Sequence, residues 1–243
     1  MDPIHMQSLR FGRAELTLDL SGALWWSRER VLAVADLHLE KGSSYAANAG
    51  RLIPPYDSAQ TLRRLAGVIA RLRPATVICL GDSFHDKRAA LRLAPADAAV
   101  LRDLVAPRRW IWIGGNHDPA PPPEFGGEVA AELEIGGLAF RHQAAREGVN
   151  EVSGHFHPVA SVATRARGLR RRCFTVGHHR LVMPAFGAYA GGLNVLDPAM
   201  TVLFPMGFEV HVMGESKLHR LAMNQLRPDA TSFPLPIRRV AMD

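Results

Sequence analysis

The stretch Val77-Ile78-Cys79-Leu80-Gly81-Asp82-Ser83-Phe84-His85 decides how the rest of the chain is read. It begins as a short apolar run with β-branched residues, long enough for a buried strand, then breaks at a glycine and delivers a carboxylate. Buried parallel strands read as continuous apolar runs, and open α/β sheets hold ligands beyond the carboxyl ends of their strands. One Gly-Asp alone is better explained by an aspartate capping a following helix. The same pattern recurs, however. Residues 31–35 run into Asp36-Leu37-His38, residues 109–113 into Gly114-Gly115-Asn116-His117-Asp118, and residues 148–153 into Gly154-His155-Phe156-His157-Pro158. The recurrence makes Asp82 a site residue.

Between these strand ends the chain alternates strand and helix patterns. Residues 16–20 and 23–26 flank Ser21-Gly22 and predict a hairpin. Residues 40–51 are small and polar with two glycines, which predicts a loop, and Pro54-Pro55 interrupts regular structure. Residues 57–72 predict a helix, with Leu62, Leu65, Ile69 and Leu72 on one face and Pro74 after its end. Pro95 opens a second helix over residues 96–105. Residues 119–123 are a proline-rich surface loop. Further strands are expected at residues 129–135, 138–141 and 148–153, and between 159 and 208, with turns at Arg167-Gly168 and Gly191-Gly192. No repeat or linker divides residues 1–226, which predicts one domain. Residues 227–243 are proline-rich and lack periodicity, as expected of a surface tail.

Composition bounds the function. At 243 residues, 47% hydrophobic and 21% charged, the chain can bury a sizeable core. No apolar run approaches the roughly 20 residues of a membrane span, and residues 1–11 lack a signal-peptide layout. The two cysteines lie far apart, one inside a presumed buried strand, so a disulfide framework is not expected. These features predict a cytoplasmic protein with no membrane partner. A net charge of +6 and a pI near 10 favour a polyanionic partner.

Taken singly, an Asp-x-His or a His-x-His is weak, and each is as readily incidental as ligating. Together, carboxylate and amide oxygens mixed with imidazoles suit manganese, iron or zinc better than calcium or magnesium alone. The set Asp36-Leu37-His38, Gly81-Asp82, Gly115-Asn116-His117-Asp118 and Gly154-His155-Phe156-His157 resembles the calcineurin-like, binuclear metallophosphoesterase superfamily. That resemblance implies an α/β fold, a four-layer α/β/β/α sandwich. It also implies that Asp36, His38 and His157 bind one metal, that Asn116 and His155 bind a second, and that Asp82 bridges them. It calls for one more histidine between Asp118 and Gly154, where His142 alone occurs; a solvated histidine beside Arg141 is the plainer account of that residue. His117 resembles the family's catalytic histidine, acting on the leaving oxygen. Two divalent ions about 3.5–4 Å apart would clamp the attacking and leaving oxygens and activate a water as hydroxide.

Gly81-Asp82-Ser83-Phe84-His85 resembles the Gly-Asp-x-Phe-His of recombination-repair nucleases, which implies that His85 holds the substrate phosphodiester. Its plainer account is a helix-start residue. Ala35-Asp36-Leu37-His38, Pro54, Leu80 to His85, Gly154 to Pro158, Pro184-Ala185-Phe186-Gly187 and Gly191-Gly192 together resemble the ligase-associated DNA damage response endonucleases (the PdeM type). The resemblance spans residues 16–197. It implies a manganese-dependent endonuclease on single-stranded DNA in bacterial DNA repair, with a DNA ligase and a helicase encoded beside it. Iron and zinc are the alternative metals. Glu40 departs from the pattern, standing where glycine is commoner, which puts the first metal's affinity or entry path in question.

Arg165, Arg167, Arg170, Arg171 and Arg172 suggest a DNA track, but a strand leaving His157 at about 3.3 Å per residue carries them roughly 20 Å from the site. The returning strand is expected to bring His178, His179 and Arg180 back to the site for phosphate contact. Two other functions compete with the endonuclease. One is a phosphodiesterase on small esters or cyclic nucleotides, which basicity and His85 disfavour. The other is a non-catalytic scaffold of the same fold, which His117 and the complete ligand set disfavour.

Overall fold

The structure, a computed structural model, describes residues 5–49, 54, 56–119, 121–163 and 168–229. Arg165, Arg167 and the tail beyond Asp229 lie outside the described residues.

Strands β1 (Met6–Phe11), β2 (Ala14–Asp19), β3 (Leu24–Trp26), β4 (Val31–Val34), β5 (Thr76–Leu80), β6 (Arg109–Ile113) and β7 (Glu128–Ala130) form one sheet in that order. It is antiparallel from β1 to β4 and parallel from β4 to β7. The expected hairpin is β2–β3. A second sheet holds β8 (Glu132–Ile135), β9 (Leu138–Arg141), β10 (Glu151–Ser153), β11 (Val159–Ala163), β12 (Gly168–Val176), β13 (Arg180–Val182), β14 (Glu209–Met213) and β15 (Leu218–Ala222). Its order is β15-β14-β12-β13-β10-β9-β8, with β11 on β12. The single strand expected over residues 129–135 is therefore two, β7 and β8, in different sheets. Both halves are strand-like in sequence, so local pattern cannot mark where the chain crosses between sheets.

The helices are α1 (Lys41–Ala49), α2 (Asp57–Leu72), α3 (Ala89–Arg92), α4 (Pro95–Val105) and α5 (Pro198–Thr201). Helix α2 matches its pattern, ending on Arg73 in the left-handed region at φ 49°, whose N–H reaches the Ile69 carbonyl. Helix α1 replaces the loop expected at residues 40–51. Its Lys-Gly-Ser-Ser start is a poor helix former, and its caps come from elsewhere in the chain. Gly42 N–H donates to Asp57 Oδ2 (2.9 Å) and Glu40 N–H to Ser58 Oγ (2.8 Å), both acceptors at the start of α2. Only the folded chain supplies those partners.

Alternation along the parallel strands produces the layers. Leu32, Val34, Val77, Cys79, Trp110 and Trp112 face α2 and α4, packing on Leu62, Leu65 and Leu101. Their neighbours Ala33, Ile78, Leu80, Ile111 and Ile113 face the second sheet, meeting Phe140, Val152 and Leu181. Both faces of β4–β6 are thus covered, which is why those strands are apolar throughout. The outer face of the second sheet is buried under Val195, Met200 and Phe204. A single helical turn, α5, and coil make up this outer layer of the α/β/β/α sandwich.

This topology gathers the carboxyl ends of β4, β5 and β6 on one edge, and those of β9 and β10 on the facing edge of the second sheet. The segment after β13 joins the two edges. Met183 N–H donates to the Ser153 carbonyl (2.7 Å), Phe186 N–H to Ala35 (2.7 Å) and Gly187 N–H to Asp36 (3.0 Å). Arg172 and Arg64 brace this segment. Arg172 Nη1 donates to the Ala185 carbonyl at 2.9 Å, and Arg64 donates to the Phe186 carbonyl with its guanidinium over the Phe186 ring.

Candidate metal centre

Each expected metal-ligating residue follows the end of one of these strands, and the structure brings all of them together. Asp36, His38 and His157 form one group of donor atoms, and Asp82, His142 and His155 a second, each within 4.8 Å. His38 Nε2 and His157 Nε2 are 3.1 Å apart, and His157 Nε2 lies 3.4 Å from Asp36 Oδ1. In the second group Asn116 Oδ1 is 2.9 Å from His142 Nε2 and 3.1 Å from His155 Nδ1, and those two nitrogens are 3.1 Å apart. Asp82 Oδ2 stands 3.6 Å from His142 Nε2. The His38 and His117 ring centroids are 5.3 Å apart, so His117 borders both groups.

The donor chemistry fits divalent ions. His142 Nδ1 lies 2.9 Å from the Leu80 carbonyl, which can only accept, so the proton of the neutral ring is on Nδ1. The Nε2 lone pair then faces the Asn116 oxygen and the Asp82 carboxylate. Lone pairs packed this way repel unless a cation lies among them. Donors about 2.1 Å from one ion and at right angles to each other are about 3.0 Å apart, which matches the Asn116–His142–His155 triangle. Burial first, then the neighbouring His157, pushes the His38 pKa down to about 2. Burial and then His142 also lower His155. The His38 and His155 imidazoles are therefore held in the unprotonated form that metals require.

The loops that carry these residues are strained. Asp36, His38, Asp82, His155 and His157 all have positive φ, between 44° and 69°. Such conformations cost about 1–3 kcal/mol each in non-glycine residues and cluster at functional sites. Hydrogen bonds hold them: His38 N–H donates to the Asp82 carbonyl, Leu39 N–H to Ser83 and His85 N–H to Leu39, each at 2.9 Å. His155 N–H donates to Asp36 Oδ2 at 3.0 Å, and His117 N–H to Asp82 Oδ1 at 2.9 Å. Asp118, the last residue of Gly-Asn-His-Asp, is buried and accepts from Phe84 N–H at 2.8 Å. Its role in holding the loop was visible in the sequence only as a fourth motif letter.

Two glycines permit the close approach. A Cβ on Gly81, at φ 75°, would come 2.3 Å from His142 Nδ1, and one on Gly115 would come 2.2 Å from Asp82. Gly81→Ala is therefore expected to displace His142 and weaken divalent-metal binding about 10–100-fold. Calorimetric titration with manganese checks this, and parental affinity in a folded variant would refute it.

His85 and His117 stand beside the donor groups. His85 Nδ1 is 3.4 Å from His38 Nδ1, and its ring stacks on His117 with centroids 5.2 Å apart. Burial first, then Lys41 and His117, lowers the His85 pKa to about 4. His117 Nδ1 lies 2.9 Å from the His85 carbonyl, which directs Nε2 toward Asp82 Oδ2 at 4.0 Å. The His117 side chain is 41% exposed, open to a substrate.

Other expectations fail on topology. His178, His179 and Arg180 are not brought to the centre. Strands β10 and β13 run parallel, pairing Glu151 with Arg180, so residues 178–180 sit at the edge opposite His155. Arg180 is instead buried on Glu151 Oε1 (2.6 Å) and on the carbonyls of Leu203 and Arg146 (2.7 Å each). The distance argument does not hold for the described arginines. Arg170 and Arg171 pair with Ser161 and Ala160, and Arg172 with Val159, two residues after His157, because β12 returns beside β11. Arg172 is spent on loop carbonyls, while Arg170 pairs with Asp229. Nothing local separates such inward arginines from a solvated cluster. Glu40 joins neither donor group; its carboxylate is turned to Ser58 Oγ at 2.7 Å.

A family model of calcineurin-like phosphoesterases matches residues 29–179, and the chain belongs to that family. Members use a dimetal centre, and the two His/Asp groups stand where one is needed. Among solved structures, the chain is similar to the nuclease MPE of Pseudomonas putida, at 28% identity and a TM-score of 0.69. The match covers 89% of this chain and 100% of that one. It also matches Yfce, a phosphoesterase from E. coli, at 15% identity and a TM-score of 0.39, over 80% of this chain and 99% of that one. No curated protein matches the chain. Among the described residues, no helix is long and apolar enough to cross a membrane.

Proposed function

We propose that this phosphoesterase is a metal-dependent DNA endonuclease that cuts single-stranded DNA in bacterial repair. Asp36, His38 and His157 would hold one divalent ion, Asn116, His142 and His155 a second, with Asp82 between them. Manganese suits the mixed oxygen and imidazole donors, with iron or zinc as substitutes. Bound there, the ions supply Lewis acidity and an activated water for phosphoryl displacement.

The observation that carries the nuclease reading is the stacked pair His85 and His117 beside the donor groups. Hydrolysis of a diester needs one group to hold a phosphoryl oxygen and another to protonate an alkoxide leaving group. The His85 carbonyl fixes the His117 ring through Nδ1–H, so that Nε2, when it carries the second proton of the imidazolium, would be the acid. His85, uncharged at neutral pH, would hold the phosphoryl oxygen through its ring N–H. The similarity to a nuclease over the whole of that protein's chain supports the same reading, as does the charge of +6. A DNA ligase and a helicase of the same repair cluster are the proposed partners.

Incubation of circular single-stranded DNA with the manganese-loaded protein tests this. Linear product is expected, because a circle has no end for an exonuclease. Added salt should slow the cut through counterion release. An intact circle alongside rapid hydrolysis of a small aryl diester would instead favour the small-ester phosphodiesterase.

A further inference from the structure

Helix α1, which has no part in either donor group, brings two side chains to the rim of the centre. Tyr45 stacks on His85 with centroids 5.8 Å apart and planes 21° apart. The rings Tyr45, His85 and His117 thus form a continuous stack, since His85 and His117 also lie 21° apart. Lys41, one helical turn before Tyr45, places Nζ 5.9 Å from the Tyr45 ring centroid, within cation–π range. The helix is anchored on two sides. Asp57 receives the Gly42 N–H, and Arg92 bonds both Ser43 Oγ (2.9 Å) and Asp86 Oδ2 (2.6 Å), next to His85.

Among the described residues no carboxylate lies within ion-pair distance of the Lys41 ammonium. Asp57, the nearest acidic influence on it, is engaged by the Gly42 amide. A half-buried cation with no ion-pair partner among the described residues, fixed beside a phosphoesterase site, can receive an anion that arrives with the substrate. Lys41 contacts Tyr45, the end ring of the Tyr45–His85–His117 stack, rather than a donor residue, so the anion it is placed to meet is the neighbour, along a polynucleotide, of the phosphate at the donor groups.

We infer that Lys41 binds the phosphodiester adjacent to the scissile one, and that Tyr45 is a positioning residue that holds both Lys41 and the His85 ring. This rests on the nuclease reading and narrows it: the substrate must be long enough to carry a second phosphate. A small aryl diester offers none.

The test compares Lys41→Met, which keeps the aliphatic stem, with Lys41→Arg and Tyr45→Phe. Binding of a fluorescent single-stranded oligonucleotide is followed by anisotropy in manganese, on a His117→Ala background so that the DNA survives. Lys41→Met is expected to weaken binding about tenfold at low salt. It should also flatten the slope of log affinity against log salt by about 0.7, the value of one lost phosphate contact on a single strand. Lys41→Arg should restore the slope and Tyr45→Phe should keep it. In the active background, Lys41→Met should lose more kcat/KM on DNA than on bis(p-nitrophenyl) phosphate. A parental slope and affinity in a Lys41→Met protein of parental melting temperature would overturn the inference and leave the nuclease reading intact. Failure of the His117→Ala parent to bind single-stranded DNA would overturn both.

Discussion

Asp82→Ala is expected to abolish phosphodiester hydrolysis with manganese, zinc or iron alike, by about 10³-fold or more. Asp82 is 2% exposed and held at φ 46°, with one oxygen 3.6 Å from His142 Nε2 and the other accepting from His117 N–H. As the proposed bridge it would be the one carboxylate to serve both ions. Its removal would leave them without the shared charge. A loss of several kcal/mol in charge stabilisation corresponds to three or more powers of ten in rate. Asp82→Asn separates ligation from loop support. The amide oxygen can still accept from His117 N–H, so the loop is kept while the charge is lost. Both variants should be inactive, and both should lose the manganese-dependent rise in melting temperature. Activity within a few-fold of parent in Asp82→Ala would reduce Asp82 to a turn residue.

His117→Ala is expected to slow DNA cleavage by about 10²–10⁴-fold, the usual worth of one positioned acid. An activated aryl diester should be largely spared, because its leaving group scarcely needs a proton. The geometry makes this specific: Nδ1 is committed to the His85 carbonyl, and Nε2 is the free nitrogen facing the centre. His85→Ala should behave differently and slow both substrates, since holding a phosphoryl oxygen matters for either leaving group. Equal loss on both substrates in His117→Ala would reject the leaving-group role and leave His117 as a positioning group for Asp82.

Much of the fold was legible because the parallel strands are short apolar runs that stop at glycine or at a polar ligand. Such runs mark β4, β5 and β6 by local pattern alone, and their carboxyl ends mark the site. His142 was harder. No glycine or motif precedes it, and only its place at the end of β9, paired in parallel with β10, carries it to the others. Helix α1 was missed for a physical reason. Gly42, Ser43 and Ser44 have weak helix propensity, and the caps that hold the helix are Asp57 and Ser58. The Lys41–Tyr45 wall beside His85 was missed with it.

His178, His179 and Arg180 show the converse failure. Residues that read as a basic phosphate site sit at the wrong end of β13, because a strand's direction in its sheet depends on which neighbour it joins. Local pattern says that a strand exists and which residues alternate across it. Direction and sheet membership are set by contacts between distant segments, since backbone hydrogen bonds alone do not discriminate partners. By itself the sequence determined the donor types, their order along the chain and the strand-to-loop grammar that presents them. The tertiary structure alone decided which donors share an ion-sized gap, which arginines face inward, and which helix walls the site. Those depend on the packing of two sheets through a common core, where burial and close approach select one arrangement from many that the local sequence allows.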